Sequence, residues 1–171
     1  SLMIAPIPSV ARAAAYQGNV VDFDESDFFP GARAIGERVN GLPTGSHVAS
    51  TECEISKQRG VEDCAFTTTT GTAVTVSENT VTRKEVSLID PVYGTRPIGG
   101  FTKSSTMYDV LLLLQSKMKR PPLFSVSVRE HQLILTSGLC VKSPRGAVFE
   151  LYFKFGKNSR LRTLGARMNF T

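Results

Sequence analysis

The chain has 171 residues, 41% of them hydrophobic, enough to bury a core as one domain or as two small ones. Its longest apolar run, Val110 to Leu114, spans five residues, far short of the ~20 that a membrane-spanning helix requires, so such a helix is excluded. The formal charge of +5 is unevenly spread: residues 117–171 hold eleven Lys/Arg against two acids, or +9, while residues 1–116 hold nine against thirteen, or −4.

At the amino terminus, Ala11-Arg12-Ala13 and Ala13-Ala14-Ala15 are small-x-small triplets like those at the tail of a secretory signal, without the apolar stretch that precedes them there; they support an export history, with an ordinary alanine-rich first turn as the alternative. Residues 1–29 read as an extended segment that ends in the acidic strip VVDFDESDFF, where Asp22, Asp24, Glu25 and Asp27 alternate with Phe23, Phe28 and Phe29. Such a strip is suited to lie across the basic part of its own chain or to offer itself to a partner, a solvated lead-in to the first helix being the commoner case. Pro30 is suited to open a helix, and Ala32, Ile35 and Val39 recur at helical spacing until Gly41 and Pro43 stop it. Gly36 in its middle is the weak point of that prediction.

Strands are predicted next at 47–56, 63–69, 72–78 and 80–88, rich in Thr and Val. The stretch TECEISKQRGVEDC, residues 51–64, reads as a hairpin with a four-residue loop from Lys57 to Gly60, whose last position favours glycine. Partners across that loop have numbers summing to 117, so Cys53 and Cys64 face each other. At a non-hydrogen-bonded position their Cα atoms are about 4.5 Å apart, within the roughly 4.4–6.8 Å a disulfide spans. If formed, the bond adds on the order of 3 kcal/mol and marks an oxidising compartment. A zinc site needs about four ligands at finger-like spacing, and three cysteines and two histidines with no CxxC pair do not supply it. Two reduced, half-buried cysteines remain the alternative.

Residues 89–105, with Pro91, Gly94, Pro97, Gly99 and Gly100, read as a connecting loop. Thr106, three residues before Asp109, forms a capping box for a second helix, with Met107, Val110, Leu111, Leu114 and Met118 on one stripe and a stop at Pro121-Pro122. Leu112 and Leu113 widen that stripe and predict burial on more than one side, and Lys117, Lys119 and Arg120 suit its negative end. Four more strands are predicted at 124–129, 132–140, 147–155 and 160–170. In the third, Phe149, Leu151, Phe153 and Phe155 share one face, and Val148, Glu150, Tyr152 and Lys154 share the other. The predicted class is therefore α+β: two consecutive modules, each a helix packed on a four-stranded antiparallel sheet, spanning 30–88 and 106–171, the second of them basic.

This order of elements, the Cys53/Cys64 hairpin and the closing VFELYFKFGKNSRL resemble the tandem helix-plus-sheet modules of the beta-lactamase inhibitor proteins and of the SmpA/OmlA class of outer-membrane lipoproteins. The cystatin-like single module is similar too. The resemblance implies an inhibitor-like or envelope-assembly-like role. The sequence departs from it in lacking a partner cysteine for Cys140 in the second module and a lipobox cysteine near the start, and no functional residue is carried over, because the inhibitory and assembly surfaces of those families have no motif matched in this sequence.

Catalytic motifs are missing from the sequence: there is no GxSxG, HExxH, Walker loop or dinucleotide fingerprint. A Cys140/His131 dyad is opposed by geometry, since one extended strand between them separates the side chains by roughly 25–30 Å; His47 is the other histidine able to approach Cys140. No metal and no cofactor are expected. The stronger clue is the basic carboxyl-terminal part, where Arg129, Lys154, Lys157, Arg160, Arg162 and Arg167 are interleaved with Tyr152. With Tyr93, Arg96, Ile98 and Phe101 of the 89–105 loop, this face is the expected site for an acidic protein or another anionic component. Nucleic acid, which such a face also suits, is the least favoured partner once export is accepted. The expectation is a periplasmic or secreted binding protein. The alternatives are a small hydrolase or transferase with a site between the modules, or an apolar-ligand binder.

Overall fold

The computed structural model describes residues 25–29, 31–39, 48–55, 62–89, 97–117, 124–136, 141–142 and 147–168. Among these residues nine strands form: β1 (Val48–Ile55), β2 (Glu62–Thr68), β3 (Ala73–Ser77), β4 (Thr80–Ser87), β5 (Ser125–Arg129), β6 (Gln132–Thr136), β7 (Val141–Lys142), β8 (Val148–Phe155) and β9 (Leu161–Met168). The alternation of branched or aromatic residues with polar ones places all of them but the unpredicted β7 where the sequence predicts strands. The two-residue turns Glu78-Asn79 and Glu130-His131 both adopt positive φ at each residue, the geometry that matches the twist of the strands they join.

The two-module architecture does not form. All nine strands belong to one antiparallel sheet, in the order β1-β2-β3-β4-β9-β8-β6-β5, with β7 paired to β8. The last strand of the amino-terminal half zips against the last strand of the chain, from Arg83↔Arg167 to Ser87↔Thr163. The hydrophobic core is likewise shared: Phe66, Val74, Val76 and Val86 lie in one cluster with Phe149, Leu151, Phe153 and Leu164.

The first predicted helix is also replaced. Residues 31–39 run as turns and extended chain, and their backbone groups bond to the β3–β4 hairpin. Gly36 N donates to Val81 O at 2.8 Å, Val81 N to Glu37 O at 3.0 Å, and Val39 N to Asn79 O at 2.8 Å. Gly36 sits at φ 84°, outside the helical region, so the spacing of Ile35 and Val39 serves burial without a helix. Both are at most 5% exposed.

Among the described residues one α-helix forms, α1 (Met107–Lys117). Its capping box is complete: Thr106 N donates to Asp109 Oδ2 at 2.9 Å, and Asp109 N donates to Thr106 Oγ1 at 3.2 Å. Val110 and Leu114 are fully buried and Leu111 and Leu113 pack against the core, but Leu112 is 47% exposed, so Leu113 widens the buried stripe as expected and Leu112 does not. No described helix is long and apolar enough to cross a membrane.

The described end of the acidic strip, residues 25–29, docks on its own chain. A 3-10 turn over Glu25–Asp27 leads into Phe28 and Phe29, both with no exposed surface, each contributing about 1.5–3 kcal/mol of burial free energy. Phe28 stacks at 5.6 Å on Phe101, which meets Phe153 edge-on at 5.5 Å. Glu25 does not reach the basic carboxyl-terminal part. It pairs with Lys84 of β4 at 2.6 Å and accepts the Ile35 N–H at 2.7 Å.

Candidate site on the outward sheet face

Strand register lays the face opposite the core out as a grid. One row reads Glu150, Arg167 and Arg83 across β8, β9 and β4; the next reads Tyr152, Gly165 and Glu85; the third reads Lys154, Thr163 and Ser87. The alternate residues of β8, Phe149, Leu151, Phe153 and Phe155, are at most 1% exposed on the core face.

Gly165 determines how this grid closes. Having no side chain, it lets Tyr152 lie across β9, and a methyl group at that position would collide with the tyrosine ring and hydroxyl. The phenol therefore reaches β4, where it donates to Glu85 Oε2 at 2.5 Å and accepts from Arg83 Nε at 2.9 Å. Arg83 Nη2 also bonds Glu85 Oε2 at 2.8 Å. Three cations surround the ring: Arg167 at 5.2 Å from its centroid, Arg83 at 5.4 Å and Lys154 at 5.6 Å, each within cation–π range. Arg167 Nε bonds Glu150 Oε1. Burial, with the Glu85 carboxylate adding to it, pushes the Tyr152 phenol well above its ordinary 10, so the group is a neutral hydrogen-bonding phenol and not a base.

This corrects the expected role of Tyr152. It is 1% exposed and therefore no stacking platform; its ring is instead the shelf on which the arginines rest. Arg167 and Lys154, both predicted site residues, converge on it, while Arg83, Glu85 and Glu150 complete the cluster unforeseen. The first two come from β4, some 67–69 residues away in sequence. The alternation in Thr82-Arg83-Lys84-Glu85 shows that Arg83 and Glu85 share a face, but not which strand lies beside them.

The other predicted residues lie apart from this cluster. Lys157, Arg160 and Arg162 are exposed at the β8–β9 turn; Arg160 Nη1 donates to Ser104 O at 3.2 Å, and the Arg162 stem packs over Gly156. Arg129 is exposed on the outer hairpin beside the Glu130-His131 turn. In the 89–105 loop, Ile98 and Phe101 are not available to a partner. They bond to each other N–H to carbonyl in both directions at 2.8 Å around Gly99-Gly100, and are 4% and 1% exposed within the core. The turn needs positive φ at both glycines, 57° and 93°, and a methyl at Gly99 would meet the Phe28 ring at 2.5 Å. Residues 98–101 thus plug the core against Phe28. Tyr93, Arg96, His47 and Cys140 lie outside the described residues.

On the first hairpin the register runs Cys53↔Cys64, Glu54↔Asp63, Ile55↔Glu62, the pairing read from the sequence, and Cys64 is 6% exposed. His131 occupies the solvent-exposed tip of the β5–β6 hairpin. Among the described residues no group of three or more His, Cys, Asp or Glu side chains is placed to hold a metal. No protein family, curated protein or solved structure matches this chain.

Proposed function

We propose that this protein is an exported binding protein that takes an acidic or anionic partner on the outward face of β4, β9 and β8, with a Cys53–Cys64 disulfide fastening the first hairpin. The observation that carries this reading is the direct cross-strand pairing of Arg83 with Arg167. Like charges opposite each other destabilise a sheet, and here the cost is only partly offset by Glu85 and Glu150, since Lys154 raises the count to three cations against two carboxylates. A surface kept for packing alone would favour alternating charge in that row. The exposed Lys157, Arg160 and Arg162 extend positive potential beyond the cluster and steer an anionic partner toward it.

Retention on immobilised heparin and on immobilised polyglutamate tests the face. Wild-type protein should bind at low salt and elute as salt rises, the Arg160→Glu/Arg162→Glu variant should elute earlier, and Arg83→Gln/Arg167→Gln should elute earliest. Equal elution of all three would refute the assignment. For export, thiol titration in denaturant without reductant should find one reactive cysteine among the three. Finding three would remove the bridge and its compartment.

A further inference from the structure

We infer that the Arg83–Arg167 pair is a seat for a tetrahedral oxyanion, a phosphate or sulfate group carried by the partner; the inference rests on the binding reading above. Each guanidinium is held from behind and open in front. Arg167 is anchored through Nε to Glu150, so its Nη1–Nη2 edge, the fork that grips an oxyanion through two parallel bonds, makes no hydrogen bond among the described residues. Arg83 is anchored through Nε to the Tyr152 hydroxyl and through Nη2 to Glu85, which leaves Nη1 open. As direct cross-strand partners the two residues have Cβ atoms about 4.5–5.5 Å apart, close enough to converge on one group. Both lie within 5.4 Å of the centroid of one ring, which limits their rotamers before any ligand arrives. Preorganisation of this kind lowers the ordering cost of binding. Both side chains remain partly open to solvent, 44% and 45% exposed.

Charge selects the ligand class. Glu85 and Glu150 already give each arginine a carboxylate, so an incoming carboxylate, with one charge, exchanges like for like. A sulfate or a phosphate monoester brings a larger charge or more acceptor oxygens, and can bridge the Arg167 fork and Arg83 Nη1 without displacing either anchor. Lys154, in the row on the far side of the tyrosine, adds a further cation within reach of the rest of the ligand. The electron-rich face of Tyr152 repels anions, which confines the oxyanion to the arginine side.

Titration calorimetry of the full chain in low-salt buffer, using inorganic phosphate, inorganic sulfate and acetate as probes, decides the matter. Phosphate or sulfate should bind at least tenfold more tightly than acetate. Arg167→Lys, which keeps the charge but loses the fork, should weaken that binding at least tenfold, and Arg33→Gln, an exposed charge outside the proposed face, should leave it within twofold. Thermal melting checks that each variant is folded, and Arg83→Gln repeats the test if Arg167→Lys is not. Whichever of phosphate and sulfate binds better names the source of the group. Equal binding of acetate, or unchanged binding by the arginine variants, overturns the inference. Retention of wild-type protein on polyglutamate with no heat from phosphate or sulfate would sink the oxyanion seat and spare the anionic-partner reading, whereas loss of both would sink the two together.

Discussion

Arg83 and Lys84 are neighbours on β4 and point to opposite faces of one sheet, and each is paired with a carboxylate. The Arg83 and Glu85 side chains are 44% and 30% exposed, whereas those of Lys84 and Glu25 are 0% and 3% exposed. Outside, water screens both partners, the tyrosine hydroxyl shares the carboxylate, and the pair itself contributes about 0–1 kcal/mol. Inside, both ions have lost their hydration, and Glu25 Oε2 has no hydrogen-bond partner among the described residues. The inner pair is therefore a fastening whose strength appears only when one half is removed. It ties residues 25–29 to the middle of the sheet, while the outer cluster leaves its arginines partly open to solvent.

Breaking the inner pair should have the largest effect. Lys84→Met keeps the volume but leaves Glu25 charged in an apolar site beside Phe29, whose ring lies 5.1 Å from the lysine nitrogen. The expected loss in denaturant unfolding is about 3–5 kcal/mol. Adding Glu25→Gln should recover most of it, since the amide oxygen can still accept the Ile35 N–H. Arg83→Gln on the outer face should cost about 1 kcal/mol or less. Equal losses for Lys84→Met and Arg83→Gln would show that burial does not distinguish the two pairs.

Gly165→Ala should follow in size. The added methyl forces Tyr152 off β9, with an expected overpacking cost of about 1–3 kcal/mol and loss of the contacts that hold Arg83. Combining it with Tyr152→Leu should be less destabilising than the sum of the two changes, because the clash is then relieved. Strict additivity would mean that the tyrosine does not lie where Gly165 makes room for it.

The outer phenol offers a spectroscopic check. Burial raises the Tyr152 proton affinity, so the protonated form is the one the fold favours. That contribution to stability is complete below the ordinary phenol value of 10 and fades as pH rises above it. In an alkaline absorbance titration, no more than three of the four tyrosines should ionise near 10, and the last should ionise only at higher pH or with unfolding. Four tyrosines titrating together would place the ring in solvent.

What could be read from the sequence follows the range of the interactions. Local rules located the strands closely, set the Cys53↔Cys64 register and identified the Thr106–Asp109 box. They failed at residues 31–39, where the apolar spacing fits a helix but Gly36 and a hydrogen-bonding edge on β4 favour extended chain. They failed again for the sheet, because pairing β4 with β9 is a contact across about 80 residues that alternation does not encode. Tyr152 illustrates both halves of the lesson. Its face on β8 was legible, but its burial depends on a glycine in β9 and on β4, neither of which could be placed beside it.

The smallest expected effect lies at the fully exposed end of the same comparison, at the helix cap. Hydrogen bonding from the Thr106 backbone N–H, with help from its hydroxyl, holds the Asp109 carboxyl below its ordinary 3.8. Because the folded value is depressed, the stabilisation is present above the unfolded value and is lost as pH falls through the folded one. Thr106→Ala removes the hydroxyl half of the box and should cost about 1 kcal/mol at neutral pH. Asp109→Asn should flatten the acid limb of the stability curve slightly and leave neutral pH nearly unchanged, since the amide oxygen can still accept the Thr106 N–H. The comparison predicts that this acid dependence weakens in high salt less than an ion pair's would, because a hydrogen bond to the backbone, and not the distant Arg160 charge, is its main source. A salt dependence as steep as that of heparin retention would instead make Arg160 the dominant partner of Asp109.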